Sequence, residues 1–167
     1  MALTSTASLP ANVERVVELF ASEDFARQVS EAAGGTLESF EISGETSGAF
    51  QTTTARSLPS DRLPDFAKKF FGARLTMQQK ENWSAPAADG SREVKISAKI
   101  SGVPVEANLV QRLNADGEQT QIQMAGSVTS SIPFFGEKIA KAAEPAIGKA
   151  LNLQVSEALK VLGGTAS

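Results

Sequence analysis

Residues Glu93–Ile100 (EVKISAKI), Val103–Leu113 (VPVEANLVQRL) and Glu118–Thr129 (EQTQIQMAGSVT) decide how this chain folds. In the first, Val94, Ile96, Ala98 and Ile100 alternate with Lys95, Ser97 and Lys99. In the second, Val105, Ala107, Leu109 and Leu113 oppose Glu106, Asn108 and Arg112. In the third, Ile122, Met124, Gly126 and Val128 oppose Gln121, Gln123 and Ser127. A period of two sends alternate side chains to opposite faces of a strand. Three such strands in a row describe an antiparallel sheet, wet on one face and covered on the other. Asp89-Gly90 and Asp116-Gly117 supply the residues that tolerate positive φ in tight hairpins, and Gly102-Val103-Pro104 makes a further bend.

The cover lies downstream. Ile139, Ala143, Ile147, Leu151, Val155, Ala158 and Leu162 recur at steps of three and four, the stripe of an amphipathic helix from Gly136 to Leu162. At 1.5 Å per residue it is about 40 Å long, enough to cross a whole sheet. Pro145 lies inside it and lacks a backbone donor, so a kink or break is expected there.

Upstream, Arg74–Ser84 places Leu75, Met77 and Trp83 on one face of another strand. Thr36–Ile42 and Ala49–Ala55 read as two more strands, joined through Gly44–Gly48. A short helix, Asp65–Phe71, is expected between Leu63-Pro64 and Gly72. At the start, Ala2–Leu9 reads as a strand ended by Pro10. Asn12 then caps a helix through Leu19, and Ser22 caps a second, with Phe25, Val29 and Ala32 as its stripe and Gly34-Gly35 as its stop. The whole is one α+β domain: six to seven antiparallel strands, two short N-terminal helices and a long C-terminal helix.

Composition removes most chemistry. The 167 residues are 41% hydrophobic and 21% charged, a globular balance, and the net charge of −3 argues against a nucleic-acid partner. There is no His, Cys or Tyr. The usual general base near neutral pH is therefore absent, as are thiolate nucleophiles, disulfides and the commonest metal ligands. No cofactor, metal or catalytic residue is expected. Met1–Ala11 has no basic residue ahead of an apolar run, and no segment approaches a membrane span, so a cytoplasmic protein is expected.

Leu37–Glu41 (LESFE), Leu58–Pro64 (LPSDRLP), the Gln79–Trp83 strand end and Ser131–Ile139 (SIPFFGEKI) carry a family resemblance. The chain resembles the START-like helix-grip superfamily, also called SRPBCC or Bet v 1-like, and more closely a bacterial family known as domain of unknown function 2505. The resemblance spans nearly the whole chain. It implies a curved sheet gripping its last helix, with a space between them that superfamily members use for lipids, sterols, polyketides and plant hormones. Some of those members are cyclases. The closer family offers no catalytic residue to carry over.

The candidate pocket lining follows from the apolar faces. The sheet contributes Leu75, Met77, Gln79, Glu81, Trp83, Ile96, Ala98, Leu109, Met124 and Gly126. The helix and its approach contribute Phe134, Ile139, Ala143, Ile147 and Leu151, and Phe70 comes from the short intervening helix. Ala98, Ala107 and Gly126 opposite Ala142, Ala143, Ala146, Gly148 and Ala150 make thin walls, which mean either close approach or open space. Gln79 and Glu81 share the face of Met77 and Trp83; a twist that carries both to solvent is the plainer expectation, and burial would make them ligand-orienting groups. Trp83 reads as a core anchor. Phe66, Phe70 and Phe71 beside Lys68, Lys69 and Arg74 read first as core with solvated lysines, and otherwise as a lid or a transient membrane contact. The expected partner is a hydrophobic small molecule. A cyclase-type enzyme using Glu81 and Gln79, or a protein-interaction module, are the alternatives.

Overall fold

The computed structural model describes residues 2–60, 74–101 and 105–163. Its elements run β1 (Ala2–Leu9), α1 (Val13–Phe20), α2 (Glu23–Ala32), β2 (Thr36–Gly44), β3 (Phe50–Pro59), β4 (Arg74–Trp83), β5 (Arg92–Ile100), β6 (Val105–Asp116), β7 (Gln119–Ser130) and α3 (Gly136–Leu162). The seven strands form one antiparallel sheet in the order β1-β7-β6-β5-β4-β3-β2. After β1, helices α1 and α2 carry the chain to the far edge. It then returns strand by strand until β7 closes against β1. This is the helix-grip architecture expected from the sequence.

Local signals set these elements where they were expected. Asn12 accepts a hydrogen bond from the Arg15 amide at 3.0 Å, and Ser22 accepts one from the Phe25 amide at 3.3 Å, capping α1 and α2. Gly90 (φ 90°) and Gly117 (φ 62°) take the left-handed backbone at their hairpins. The segment holding the expected Asp65–Phe71 helix, Phe70 included, lies outside the described residues, as does the Gly102–Pro104 bend.

Helix α3 runs unbroken across Pro145. The carbonyl four residues back belongs to Lys141, and both residues sit on the exposed side, where water satisfies the acceptor that proline cannot pair. The helix packs on β7, β1 and β6 and against α2. Its start is pressed against the end of β7: a Cβ on Gly136 would lie 2.6 Å from the Ser130 carbonyl oxygen. Just before it, Phe134 is held at φ 65° and is fully exposed.

The core lies between the sheet and the three helices. Val94, Ile96, Ala98, Val105, Ala107, Leu109, Leu113, Ile122, Met124 and Val128 meet Val16, Phe20, Ile139, Ala143, Ile147 and Leu151 there, all buried. A Cβ on Gly126 would sit 2.2 Å from the Asn108 carbonyl oxygen and 2.6 Å from Leu109 Cα, so the missing side chain is required by the close approach of β6 and β7 within the sheet.

Candidate functional site

Phe50 enters β3 buried, and the period of two then turns Thr52, Thr54 and Arg56 toward the helices; all three are buried. On β4 the same alternation buries Met77, Gln79, Glu81 and Trp83. Register pairs Thr52 with Glu81, Thr54 with Gln79 and Arg56 with Met77. A polar patch therefore occupies the inner face of β3 and β4. Gln79 and Glu81 are only 6% and 4% exposed. The expectation that twist carries them to solvent is corrected: β4 keeps its register through Met77–Trp83, so their side chains stay on the inner face.

The patch is bonded around the Glu81 carboxylate. Thr52 Oγ1 donates to Oε1 at 3.0 Å and Gln79 Nε2 donates to Oε2 at 3.1 Å. Burial raises the Glu81 pKa above the ordinary carboxylate value, while those two hydrogen bonds and the charge of Arg56 pull it back. Burial likewise lowers the pKa of Arg56, and Glu81 raises it. Arg56 is 8% exposed, and its Nε has no hydrogen-bond partner. Trp83 Nε1 is also unpartnered, its N–H giving the weakest of the pulls on Glu81.

Aromatic rings back this patch. Phe50 stacks on Trp83 with centroids 5.0 Å apart, Phe20 meets Trp83 edge-on at 6.3 Å, and Phe25 stacks on Phe20 at 5.6 Å. Above it is a cleft. Thr54, Arg56, Met77, Gln79, Glu81 and Ala98 form its floor; Phe20, Phe25, Ala26 and Val29 form one wall; Ile147, Ala150, Leu151 and Gln154 of α3 form the other, with Phe40 of β2 at the side. The cavity volume is about 20 Å³, room for one water-sized group. A second cavity of about 20 Å³ lies between Thr4, Ser5 and Met124 of the sheet and Gly148, Leu151 and Asn152 of α3, so among the described residues the room between sheet and α3 is narrow at both places. A broader depression of about 770 Å³ lies over β1, β7 and β6, where Thr4, Thr6, Arg112 and Gln123 are exposed.

The predicted lining residues therefore divide. Met77, Gln79, Glu81, Ala98, Ile147 and Leu151 come together at the cleft. Trp83, Ile96, Leu109, Met124, Ile139 and Ala143 are buried in the core away from it. Leu75 is half-buried near the strand end, and Gly126 is spent on strand approach. Phe134 is a correction: its left-handed backbone turns the ring into solvent, away from the interior. Arg56, Thr52, Thr54, Phe20 and Phe25 were missed as site residues. A signal existed for three of them, because an inward Phe50 forces Thr52, Thr54 and Arg56 inward by period two.

Known structures with this architecture define the class first. The chain is similar over its full length to TTHA0849 from Thermus thermophilus (14% identity, 100% of both chains covered, TM-score 0.64). It is similar to the Zhui aromatase/cyclase from Streptomyces (12% identity, 100% of this chain and 96% of that one, TM-score 0.61). It is also similar to a STAR-related lipid transfer protein from Xanthomonas axonopodis (15% identity, 96% and 85%, TM-score 0.60). At such identities the likeness establishes a START-type fold. No curated protein matches in sequence. The family described as "Protein of unknown function (DUF2505)" matches residues 4–160, and this chain belongs to it.

Proposed function

We propose that this protein binds a hydrophobic small molecule between the β3–β4 end of the sheet and the helices α2 and α3, as a carrier or sensor of that molecule. One observation carries the reading: a bonded but incompletely satisfied polar patch is buried at the floor of an aromatic and aliphatic cleft. Burying Arg56 and Glu81 costs several kcal/mol per charge before pairing, and apolar residues of similar size avoid that cost. Such a group is retained where it orients something. The fold supports the reading, since one structural relative is by name a lipid transfer protein and another an aromatase/cyclase.

A cavity of about 20 Å³ holds no lipid-sized molecule, so loading requires α3 and α2 to part. The seam is short in sequence terms: Ile147, Ala150, Leu151 and Gln154 against Phe25, Ala26 and Val29. The test is extraction of the natively purified protein followed by mass spectrometry, together with thermal melts of stripped protein against a panel of hydrophobic compounds. Co-purified ligand, or a ligand-dependent rise in Tm, is the expected result. A clean protein that no compound stabilises defeats the proposal.

Glu81 favours a second reading. A buried carboxyl with a raised pKa facing a cleft is a general acid in waiting, which is what a cyclase-type reaction would use. In that case Glu81→Gln abolishes turnover of a bound substrate without loss of binding. Equal turnover by the variant removes this reading.

A further inference from the structure

The polar patch contains its own description of what it binds, and this step rests on the binding reading above. Both Glu81 oxygens already accept hydrogen bonds, one from Thr52 and one from Gln79. Arg56 is the opposite charge beside them, so the buried pair is electrically balanced as it stands. What is left over is a donor. Arg56 has an Nε–H that is buried and unpartnered, and its side chain lines the described cavity at this patch. That cavity has the volume of a single small polar group. Trp83 Nε1 is also an open donor, but Trp83 is stacked against Phe50 and Phe20 and is not among the cleft residues.

We infer that the cleft takes an apolar molecule whose buried end is an uncharged acceptor oxygen, a ketone or ester carbonyl, received by the N–H donors of the Arg56 guanidinium. A carboxylate head would satisfy the same donor. It would also bring a second negative charge next to Glu81 and leave the buried site with net charge, which low-dielectric surroundings penalise. A pure hydrocarbon would bury the donor without a partner and forfeit the hydrogen bond. An uncharged oxygen completes the patch and keeps its charges balanced. The remainder of the molecule lies between Phe25 and Val29 on one wall and Ile147 and Leu151 on the other.

The chain has a single tryptophan, Trp83, whose ring lies in the aromatic cluster beside Glu81, so its fluorescence reports on occupancy. The probes are 2-decanone, decanoate and decane, titrated at pH 8 into the wild type and into Arg56→Met. The wild type is expected to bind the ketone about tenfold or more tightly than the alkane, the scale of one hydrogen bond to a charged group. Decanoate should do no better than decane. In Arg56→Met the ketone should fall to the alkane's level, with circular dichroism and a cooperative melt confirming the fold. Should that variant not fold, the ranking of the three probes on the wild type decides alone. Decanoate binding tightest overturns the inference in favour of an anion site. Ketone and alkane binding equally overturns it while leaving the hydrophobic carrier intact. If none of the three binds, the inference falls, and the carrier reading is decided separately by the extraction and the thermal melts.

Discussion

The two ends of the inner sheet face are built on different terms. Across β5, β6 and β7 the inward residues are apolar with three exceptions, Arg92 at the start of β5, Gln111 and Thr120, and they are filled from above by α1 and α3. Across β3 and β4 five of the inward residues are polar: Thr52, Thr54, Arg56, Gln79 and Glu81. Both ends belong to one continuous sheet with unbroken register from β3 to β7. Backbone geometry therefore cannot account for the difference. The apolar end holds the fold together by removing hydrocarbon from water, whereas the polar end bears a desolvation cost that packing alone would not select.

The contrast breaks most visibly under truncation. Leu113 is fully buried in the apolar end, and Leu113→Ala should lower unfolding free energy by about 3–5 kcal/mol, the upper part of the range for a leucine that leaves a cavity. Thr54→Val, which replaces the hydroxyl of the polar end by a methyl group, should cost no more than about 0.5–1.5 kcal/mol, the net worth of one hydrogen bond. Urea denaturation of both variants measures the gap. Comparable losses would mean that the polar end is ordinary core.

The charges come next, and they are not equivalent. Glu81→Gln leaves a buried guanidinium without its counter-charge, and arginine cannot shed its proton to escape. A loss smaller than the roughly 3–5 kcal/mol of a broken buried pair is expected, because the substitution also removes the burial cost that raises the Glu81 pKa. Arg56→Met leaves a carboxyl that can take up a proton, since burial has already raised its pKa, so the loss should be smaller. The double variant should lose less than the sum of the two singles, and a double-mutant cycle reads the coupling directly. Additive losses would show that Arg56 and Glu81 do not sense each other.

The same contrast explains what the sequence disclosed. The strands of the apolar end alternate cleanly, so Glu93–Ile100 and Glu118–Thr129 could be placed to within a residue or two and their buried faces assigned. On β3 the alternation is between polar and polar: Gln51, Thr53 and Ala55 against Thr52, Thr54 and Arg56. No hydropathy signal says which set faces in, and Arg56 stayed invisible as a site residue although Gln79 and Glu81 were named. The decision comes from the head of the strand, from Phe50 seated against Trp83. Cavity size was illegible for a related reason. Small residues at Ala98, Ala107 and Gly126 are compatible with empty space or with close approach of the layers, and only the placement of α3 over them tells which.

Acidity separates the ends further. The Glu81 pKa is raised in the folded chain, so between the ordinary carboxylate value and that raised value the folded state holds more protons than the unfolded one. Stability contributed by this group is therefore greatest at low pH and declines as pH climbs through the window. The difference in Tm between wild type and Glu81→Gln, followed from pH 4.5 to 8, should show wild type gaining on the variant as the medium is acidified. A difference that stays constant with pH would mean that Glu81 titrates like a surface carboxylate.

The smallest effect lies where the cleft is shut. Gln28 of α2 donates to Glu157 Oε1 of α3 at 3.1 Å, and Lys160 Nζ sits 2.8 Å from Oε2. Lys160 first and Gln28 second hold the Glu157 pKa below the ordinary range. The sign is thus opposite to that of Glu81: this contribution is present above the ordinary value and is lost as pH falls through the depressed one. Lys160 is largely exposed, so Glu157→Gln should cost no more than about 0.5–1 kcal/mol. A latch this weak joins the two helices that must part for anything to reach Arg56. Loosening it should leave global stability nearly unchanged while raising the exchange rate of the amides in the second half of α3, measured by hydrogen–deuterium exchange. If exchange in α3 is unaltered in Glu157→Gln, the helices do not open at this seam, and access to the polar patch follows another path.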